Sequence, residues 1–498
     1  MLVFFRLIII SFLVLASLQM SAQIDSETKG KPNILLILVD DLKPAIGAYG
    51  DKTAITPYMD KLAANGLRFD FAYSNQAVCA PSRFNLMLGS RSSSTGIYGF
   101  GQNFRDYYPQ ALTMPEFFKT NGYHTEGMGK VYHIGHGTYQ DEASWTVPHH
   151  PELLIEYVDA ASKKDGFTRE EALFSNKSAE GLPRGVAWES PDVPDDAYAD
   201  GRIANRAVKR LKELADMQKN PNSQPFFLAV GFARPHLPFS VPQKYWDKYN
   251  PATLPLPEYE EKPVGAPSYA VKRDTEIDQY FPIPHSSEQD PFPKELQRKL
   301  IHGYYASVSY VDAQIGKVMH ALKESGLNDN TIVVLWGDHG YHLGEMGIWT
   351  KHVNYELANH IPLIISAPGV NAANSSTSQL TESVDIYPTL VELAGFALPE
   401  VEQPFDGISM LPVLRDTTVR LRDHAYHSFP REGRLGRAIR TDRYRLVEWK
   451  KINEPDAPID YELYDYSEGK VEKKNIASER SDILEKMKSI LANHPDAK

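Results

Sequence analysis

The chain has 498 residues, 42% hydrophobic, 23% charged and 11% aromatic, enough for a large buried core and two or three domains. That composition excludes a disordered, collagenous or coiled-coil chain. With 53 basic against 64 acidic residues, a net charge of −11, sequence-independent nucleic-acid binding is not expected, because it depends on basic contacts to phosphate.

Residues 1–22 read as an address. Arg6 precedes an apolar run over residues 7–18, and the small residues Ser21 and Ala22 follow, which is the layout of a secretory signal peptide. The run falls short of the about 20 residues that a bilayer span needs, so no stable membrane anchor is expected. Beyond it, branched apolar runs without alternation occupy residues 33–39, 226–231, 331–336 and 362–366. They predict buried strands of a parallel sheet. A further strand is predicted at 123–128, and helical patterns alternate with the strands at 58–65, 114–121, 198–216, 295–325 and 385–394. The rhythm predicts a doubly wound α/β domain with helices on both faces. Two stretches interrupt it, 137–195 and 249–294, rich in proline, acids and aromatics. Loops of that length commonly wall a site. After residue 418 the pattern changes: strands at 438–449 and 461–465 and a closing helix at 481–493 predict a smaller α+β subdomain. The expected division is a signal peptide at 1–22, a catalytic domain at 23–418 and a C-terminal subdomain at 419–498.

In doubly wound folds the chemistry collects beyond the carboxyl ends of the strands. After the first strand come Asp40 and Asp41. Two adjacent carboxylates repel unless a cation separates them, and a hard divalent metal suits them, although a capping or turn pair reads equally well. After the 331–336 strand come Gly337, Asp338, His339 and Gly340, which add a third carboxylate and an imidazole on a backbone free to turn sharply. After the 226–231 strand, Pro235 and Pro238 flank His236, and the rigid turn suits a positioned acid or base. Lys130 and His133 follow the 123–128 strand, and Lys351 and His352 lie a dozen residues past His339. Together with Arg83, these cations around a metal-binding carboxylate set imply a tetrahedral anion, phosphate or sulfate.

The chain holds one cysteine, Cys79, so an intramolecular disulfide and a multi-cysteine metal site are both excluded. Pro81 is placed for the first turn of a helix running to about Leu88. Cys79 therefore sits near a helix N-terminus, a position suited to a nucleophile or an anion; a buried apolar filler is the plain alternative.

The segment Cys79-Ala80-Pro81-Ser82-Arg83 resembles the C-x-P-S-R signature of the formylglycine-dependent (type I) sulfatases. The Asp pair, Gly-Lys-x-x-His, Arg-Pro-His and Gly-Asp-His-Gly occur with it in family order, and the likeness runs from about residue 31 to the C-terminal helix. His339 and the run from Gly347 to His352 are similar to the iduronate-2-sulfatase branch. The resemblance implies an alkaline-phosphatase-like fold, with a large, mostly parallel mixed sheet between helices and a C-terminal antiparallel sheet. It also implies that a maturation enzyme oxidises Cys79 to formylglycine. Asp40, Asp41, Asp338 and His339, with the modified residue, would bind Ca2+. Arg83 and Lys130 would hold the hydrate and the sulfate, with His133 beside them. His236 and Lys351 would sit at the leaving oxygen. A hydrate hydroxyl would attack sulfur, His236 would protonate the departing alcohol, and His133 would deprotonate the second hydroxyl to release sulfate.

The expected activity is that of an exported bacterial sulfuric-ester hydrolase, periplasmic or secreted, acting on a sulfated carbohydrate. Glycosaminoglycan and algal polysaccharide such as ulvan are both within reach of the resemblance. Arg105, Trp349 and His352 are further candidates for sugar contacts. A phosphate-ester or phosphonate hydrolase on the same scaffold is the alternative. A non-catalytic carbohydrate-binding relative is disfavoured, since it needs no nucleophile, acid and metal together.

Overall fold

The computed structural model describes residues 30–163, 166–220, 222–271, 276–285, 291–370, 374–454 and 456–496. The expected signal peptide, 1–22, lies outside the described residues. The chain contributes strands β1 (Asn33–Val39), β2 (Leu67–Tyr73), β3 (His124–Gly129), β4 (Trp188–Glu189), β5 (Phe226–Phe232), β6 (Phe239–Ser240), β7 (Thr331–Gly337), β8 (His360–Ser366) and β9 (Ser375–Glu382). The longer helices are α1 (Pro57–Ala64), α2 (Cys79–Leu88), α3 (Met114–Thr120), α4 (Ala199–Met217), α5 (Lys294–Glu324), α6 (Ile386–Leu393) and α7 (Ser481–Leu491).

Seven strands form one sheet in the order β3-β5-β1-β7-β8-β2-β9, and β4 pairs separately with β6. Every position of β1, β5 and β7 is buried, because helices cover both faces. Leu35, Ile37, Val39, Leu228, Val230, Val333 and Leu335 face a core shared with α1, α4 and α5. The alternate residues Ile34, Leu36, Leu38, Phe227, Ala229, Val334 and Trp336 face a second core built with α2, α3 and α6. This two-sided burial is why these strands read as continuous apolar runs.

One strand departs from the expected parallel arrangement. β1 runs parallel to β5 and β7, and β3 to β5, but β8 is antiparallel to both β7 and β2. Between β7 and β8 the chain makes only the short turns Glu345–Gly347 and Glu356–Asn359. A parallel return needs a crossover, usually a helix; without one the chain turns back. Residues 338–359 therefore stay at the carboxyl end of the sheet.

The C-terminal region forms a separate antiparallel sheet of β10 (Ala425–Arg431), β11 (Arg434–Arg440), β12 (Tyr444–Lys451) and β13 (Asp460–Asp465). The stretch 438–449, read as one strand, is a hairpin: Thr441 N donates to Tyr444 O (2.9 Å) and reverses the chain between β11 and β12. Met487 and Leu491 of α7 pack on Tyr426, Ile439, Leu446 and Leu463. The sheet also joins the larger one through buried charge, where Glu356 Oε2 accepts from Arg440 Nε (2.9 Å) and Arg445 Nη2 (2.6 Å).

Candidate active site

The site is assembled from the carboxyl ends of β1, β3, β5 and β7 and the N-terminus of α2. In a continuing strand Asp40 and Asp41 would point to opposite faces. Asp41 instead adopts a φ of 57°, and its amide donates to Asp338 Oδ1 at 3.0 Å. The turn thus brings three carboxylates into one fully buried space. Gly340 admits it: a Cβ there would lie 2.1 Å from the Leu357 carbonyl, so the backbone passes closer than any side chain allows.

Arg83, one turn into α2, ties the strand ends together. Its Nη2 lies 3.1 Å from Asp40 Oδ1 and 3.0 Å from Asp338 Oδ2. Its Nη1 donates to the carbonyls of Lys130 and Val131. The Lys130 ammonium pairs with Asp40 Oδ2. Although burial acts to raise Asp40, the charges of Lys130, His236 and Arg83 hold its carboxyl well below the usual range. Burial and the neighbouring Asp40 charge push Asp338 well up, and burial raises Asp41. Three carboxylates this close do not all ionise without further positive charge.

Cys79 opens α2 and is 1% exposed. Its Sγ lies 3.2 Å from His339 Nε2. Burial, followed by the Asp40 charge, pushes the thiol well above its usual value. The thiolate is the reactive form, so the unmodified cysteine is a poor nucleophile here.

His236 sits between the cis peptides Arg234–Pro235 and Leu237–Pro238. Asp200 accepts from the amides of Ala233 and Arg234, both at 2.8 Å, and fixes this loop. The ring Nδ1 lies 2.5 Å from Leu237 O, and Nε2 lies 3.0 Å from Glu276 Oε1. Lys351 Nζ lies 3.0 Å from Asp41 Oδ2 and 2.6 Å from Glu276 Oε2. Burial opposes its charge, but Asp41 and Glu276 hold the ammonium charged. His133 Nε2 is 3.4 Å from His136 Nδ1, and its own Nδ1 has no partner. Burial, with Lys130 nearby, keeps this ring neutral.

The carboxylates of Asp40, Asp41 and Asp338 supply the oxygen donors that a hard divalent cation takes. Ligand atoms of Asp40, Cys79, Asp338 and His339 lie within 4.8 Å of one another, as do those of Asp40, Asp41, Cys79 and His236. Asp41 Oδ1 is buried without a hydrogen-bond donor, an oxygen that a metal would satisfy.

A cavity of about 200 Å³ opens over this cluster, lined by Cys79, His133, His236, Lys351 and His352. Arg83 and Lys130 are fully buried beside them, with Lys130 Nζ 4.9 Å from the ring centroid of Phe174, which lines the same cavity. Two residues expected at the sugar are elsewhere. Arg105 is engaged by Asp141 (2.6 Å) and Glu116 (2.7 Å), and Trp349 is buried against Phe292, ring centroids 6.0 Å apart. Both face local packing partners, not the cavity. The remaining walls were not foreseen: Phe100, His136, Arg169, Glu170, Phe174, Glu276 and Gln279. Most come from the two long loops, where no periodicity marks which side chain faces inward. A larger open depression of about 390 Å³ beside Asp60, Arg68 and Asn374 holds none of the groups described.

The sulfatase family profile matches residues 32–396, and the profile of the N-sulphoglucosamine sulphohydrolase C-terminal region matches residues 344–496. The chain is 32% identical over 489 residues to iduronate 2-sulfatase of Homo sapiens, covering 85% of this chain and 86% of that protein. A protein solved with its substrate D-glucosamine-2-N,6-O-disulfate superposes with a TM-score of 0.71 at 22% identity, over 93% of this chain and 97% of that one. Phosphonate monoester hydrolase of Agrobacterium radiobacter superposes with a TM-score of 0.72 at 21% identity, over 94% and 96%. At such identities the two solved structures speak for the fold.

Proposed function

Because the chain belongs to the sulfatase family, we propose that it hydrolyses the sulfate ester of a sugar in a polysaccharide or oligosaccharide, with formylglycine derived from Cys79 as nucleophile and Ca2+ as its metal. The observation that carries the proposal is the buried cluster itself: Cys79 at a helix N-terminus against Asp40, Asp338 and His339, its thiol pushed up by burial. A thiol so placed is of little use unless converted into a better nucleophile.

Asp40, Asp41, Asp338 and His339, with the modified residue, would hold calcium, which supplies positive charge to the sulfuryl oxygens. Formylglycine supplies a hydrate hydroxyl in place of the thiol. The other roles belong to the chain as it stands. Arg83 and Lys130 fix Asp40 and Asp338 and add positive potential behind the sulfate. His236 presents Nε2 to the leaving oxygen and donates its proton there, with the Lys351 ammonium alongside. Neutral His133 faces the site with an unpartnered nitrogen and accepts a proton from the nucleophile's side. His352 lines the sugar side of the cavity.

Export to the periplasm or medium by a bacterial host, conversion of Cys79 by a maturation enzyme, and a boundary near residue 418 belong to the same reading. No helix among the described residues is long and apolar enough to cross a membrane, and the sheet from β10 to β13 supports the boundary. The relative named for iduronate supports a sulfated sugar as substrate, with glycosaminoglycan and ulvan-like polymers as sources. Rates on defined sulfated oligosaccharides, measured beside a phosphate monoester and a phosphonate monoester, test the proposal. Sulfate release should dominate; a faster phosphonate reaction would favour the alternative.

A further inference from the structure

Glu276 has no part in the steps above, yet it stands at their centre. It opens the short turn Glu276–Gln279 in the long proline-rich stretch, and its carboxylate enters the cavity. Oε1 lies 3.0 Å from His236 Nε2 and Oε2 lies 2.6 Å from Lys351 Nζ. The other ring nitrogen of His236 faces Leu237 O at 2.5 Å, so Nε2 is the one ring atom available to the ester oxygen of a substrate. That oxygen and Glu276 Oε1 compete for the same N–H. When substrate takes Nε2, Oε2 can stay with Lys351, but Oε1 loses its donor. Glu276 is 15% exposed at the cavity, and a carboxylate oxygen that loses its donor beneath a bound sugar is costly. A donor on the substrate, close to the ester oxygen, meets that cost, and the nearest such position on a sugar is the adjacent ring carbon.

We propose that Glu276 is a specificity-determining residue: it accepts a hydrogen bond from the hydroxyl vicinal to the sulfate being removed. The preferred substrate is then a sugar sulfate whose neighbouring hydroxyl is free, and a sugar with a second sulfate at that neighbour is rejected. Repulsion of the wrong ligand by a fixed like charge is an effective source of specificity. The inference rests on the sulfatase reading and narrows it to a substrate class.

The test uses hexose monosulfates sulfated at each ring position, each compared with its vicinal methyl ether and its vicinal disulfate. Sulfate release by the mature enzyme is measured together with equilibrium binding to Cys79→Ala protein. A site built to bond a hydroxyl discriminates strongly against its absence. The expected loss in kcat/KM is at least about 100-fold from free hydroxyl to methyl ether, and larger for the disulfate, with the same order in binding. Glu276→Gln should bring the disulfate within about 10-fold of the monosulfate by removing the like charge. Equal kcat/KM for the free hydroxyl and its ether, or an unchanged disulfate ratio in Glu276→Gln, overturns the proposal. The wild-type series decides the matter alone if the variant does not fold. Sulfate release from no member of the panel would instead strike the sulfatase reading.

Discussion

Replacing Arg83 by methionine keeps most of the side-chain volume and removes the charge that joins three strand ends. The guanidinium and both carboxylate partners are 0% exposed. The variant therefore leaves Asp40 and Asp338 short of a counter-charge and the carbonyls of Lys130 and Val131 short of a donor. Truncating one partner of a buried ion pair costs about 3–5 kcal/mol, and each stripped carbonyl adds about 1 kcal/mol or more. Asp338, already pushed up by burial and by Asp40, recovers part of this by taking a proton. The net loss should be roughly 4–6 kcal/mol. Equilibrium unfolding in urea with chelator present measures it. Calcium should shrink the deficit, since a divalent cation replaces the missing charge; Arg83→Lys should recover only part, having no fork to span both carboxylates. A loss below about 1 kcal/mol would refute the account of Arg83 as the centre of the strand-end network.

Other consequences are equally open to measurement. Saturating calcium, at about 100 times its Kd, should stabilise the folded chain by about 2.7 kcal/mol, seen as a higher unfolding midpoint that chelator reverses; Asp41→Asn should weaken the response, and an identical midpoint with and without chelator would count against the metal site. Replacing His236 by glutamine should lower kcat on a sugar sulfate by about 10²–10⁴, and much less on an aryl sulfate with a good leaving group; equal losses on both would contradict its role as proton donor. Asp312 accepts from the amides of Tyr58 and Met59 at the start of α1, and burial pushes it up to about 7. With a folded value above the unfolded one, its stabilising contribution is full below about pH 4 and is lost as pH rises through about 7. Asp312→Asn removes this dependence, so the variant should gain roughly 2 kcal/mol relative to the wild type between pH 5 and pH 8; a difference that stays flat with pH would refute the assignment.

What the sequence disclosed follows from how locally each feature is determined. β1, β5 and β7 were legible because burial on both faces demands apolar residues at every position. The longer helices were legible from their apolar faces, to within two residues at each end. β9, with the sequence SSTSQLTE at the sheet edge, escaped because an edge strand needs few apolar residues. The direction of β8 escaped because no residue within it records the missing crossover before it. Asp40, Asp41, Asp338, His339 and His236 could be found because strand ends put short polar motifs where the fold puts chemistry. Arg105 and Trp349 engage local partners, because a cation or an aromatic beside a motif is as readily used by local packing. Glu276 was invisible: only the fold of a long loop carries it to His236 and Lys351.

The central claim is that Cys79 becomes the aldehyde from which the nucleophile is made. Preparations with different degrees of maturation can be compared by mass spectrometry of the peptide containing Cys79, alongside sulfate release from a sugar sulfate. The account predicts turnover that rises in proportion to the aldehyde fraction and vanishes where the thiol is intact. Full activity from protein carrying an unmodified Cys79 thiol would contradict it.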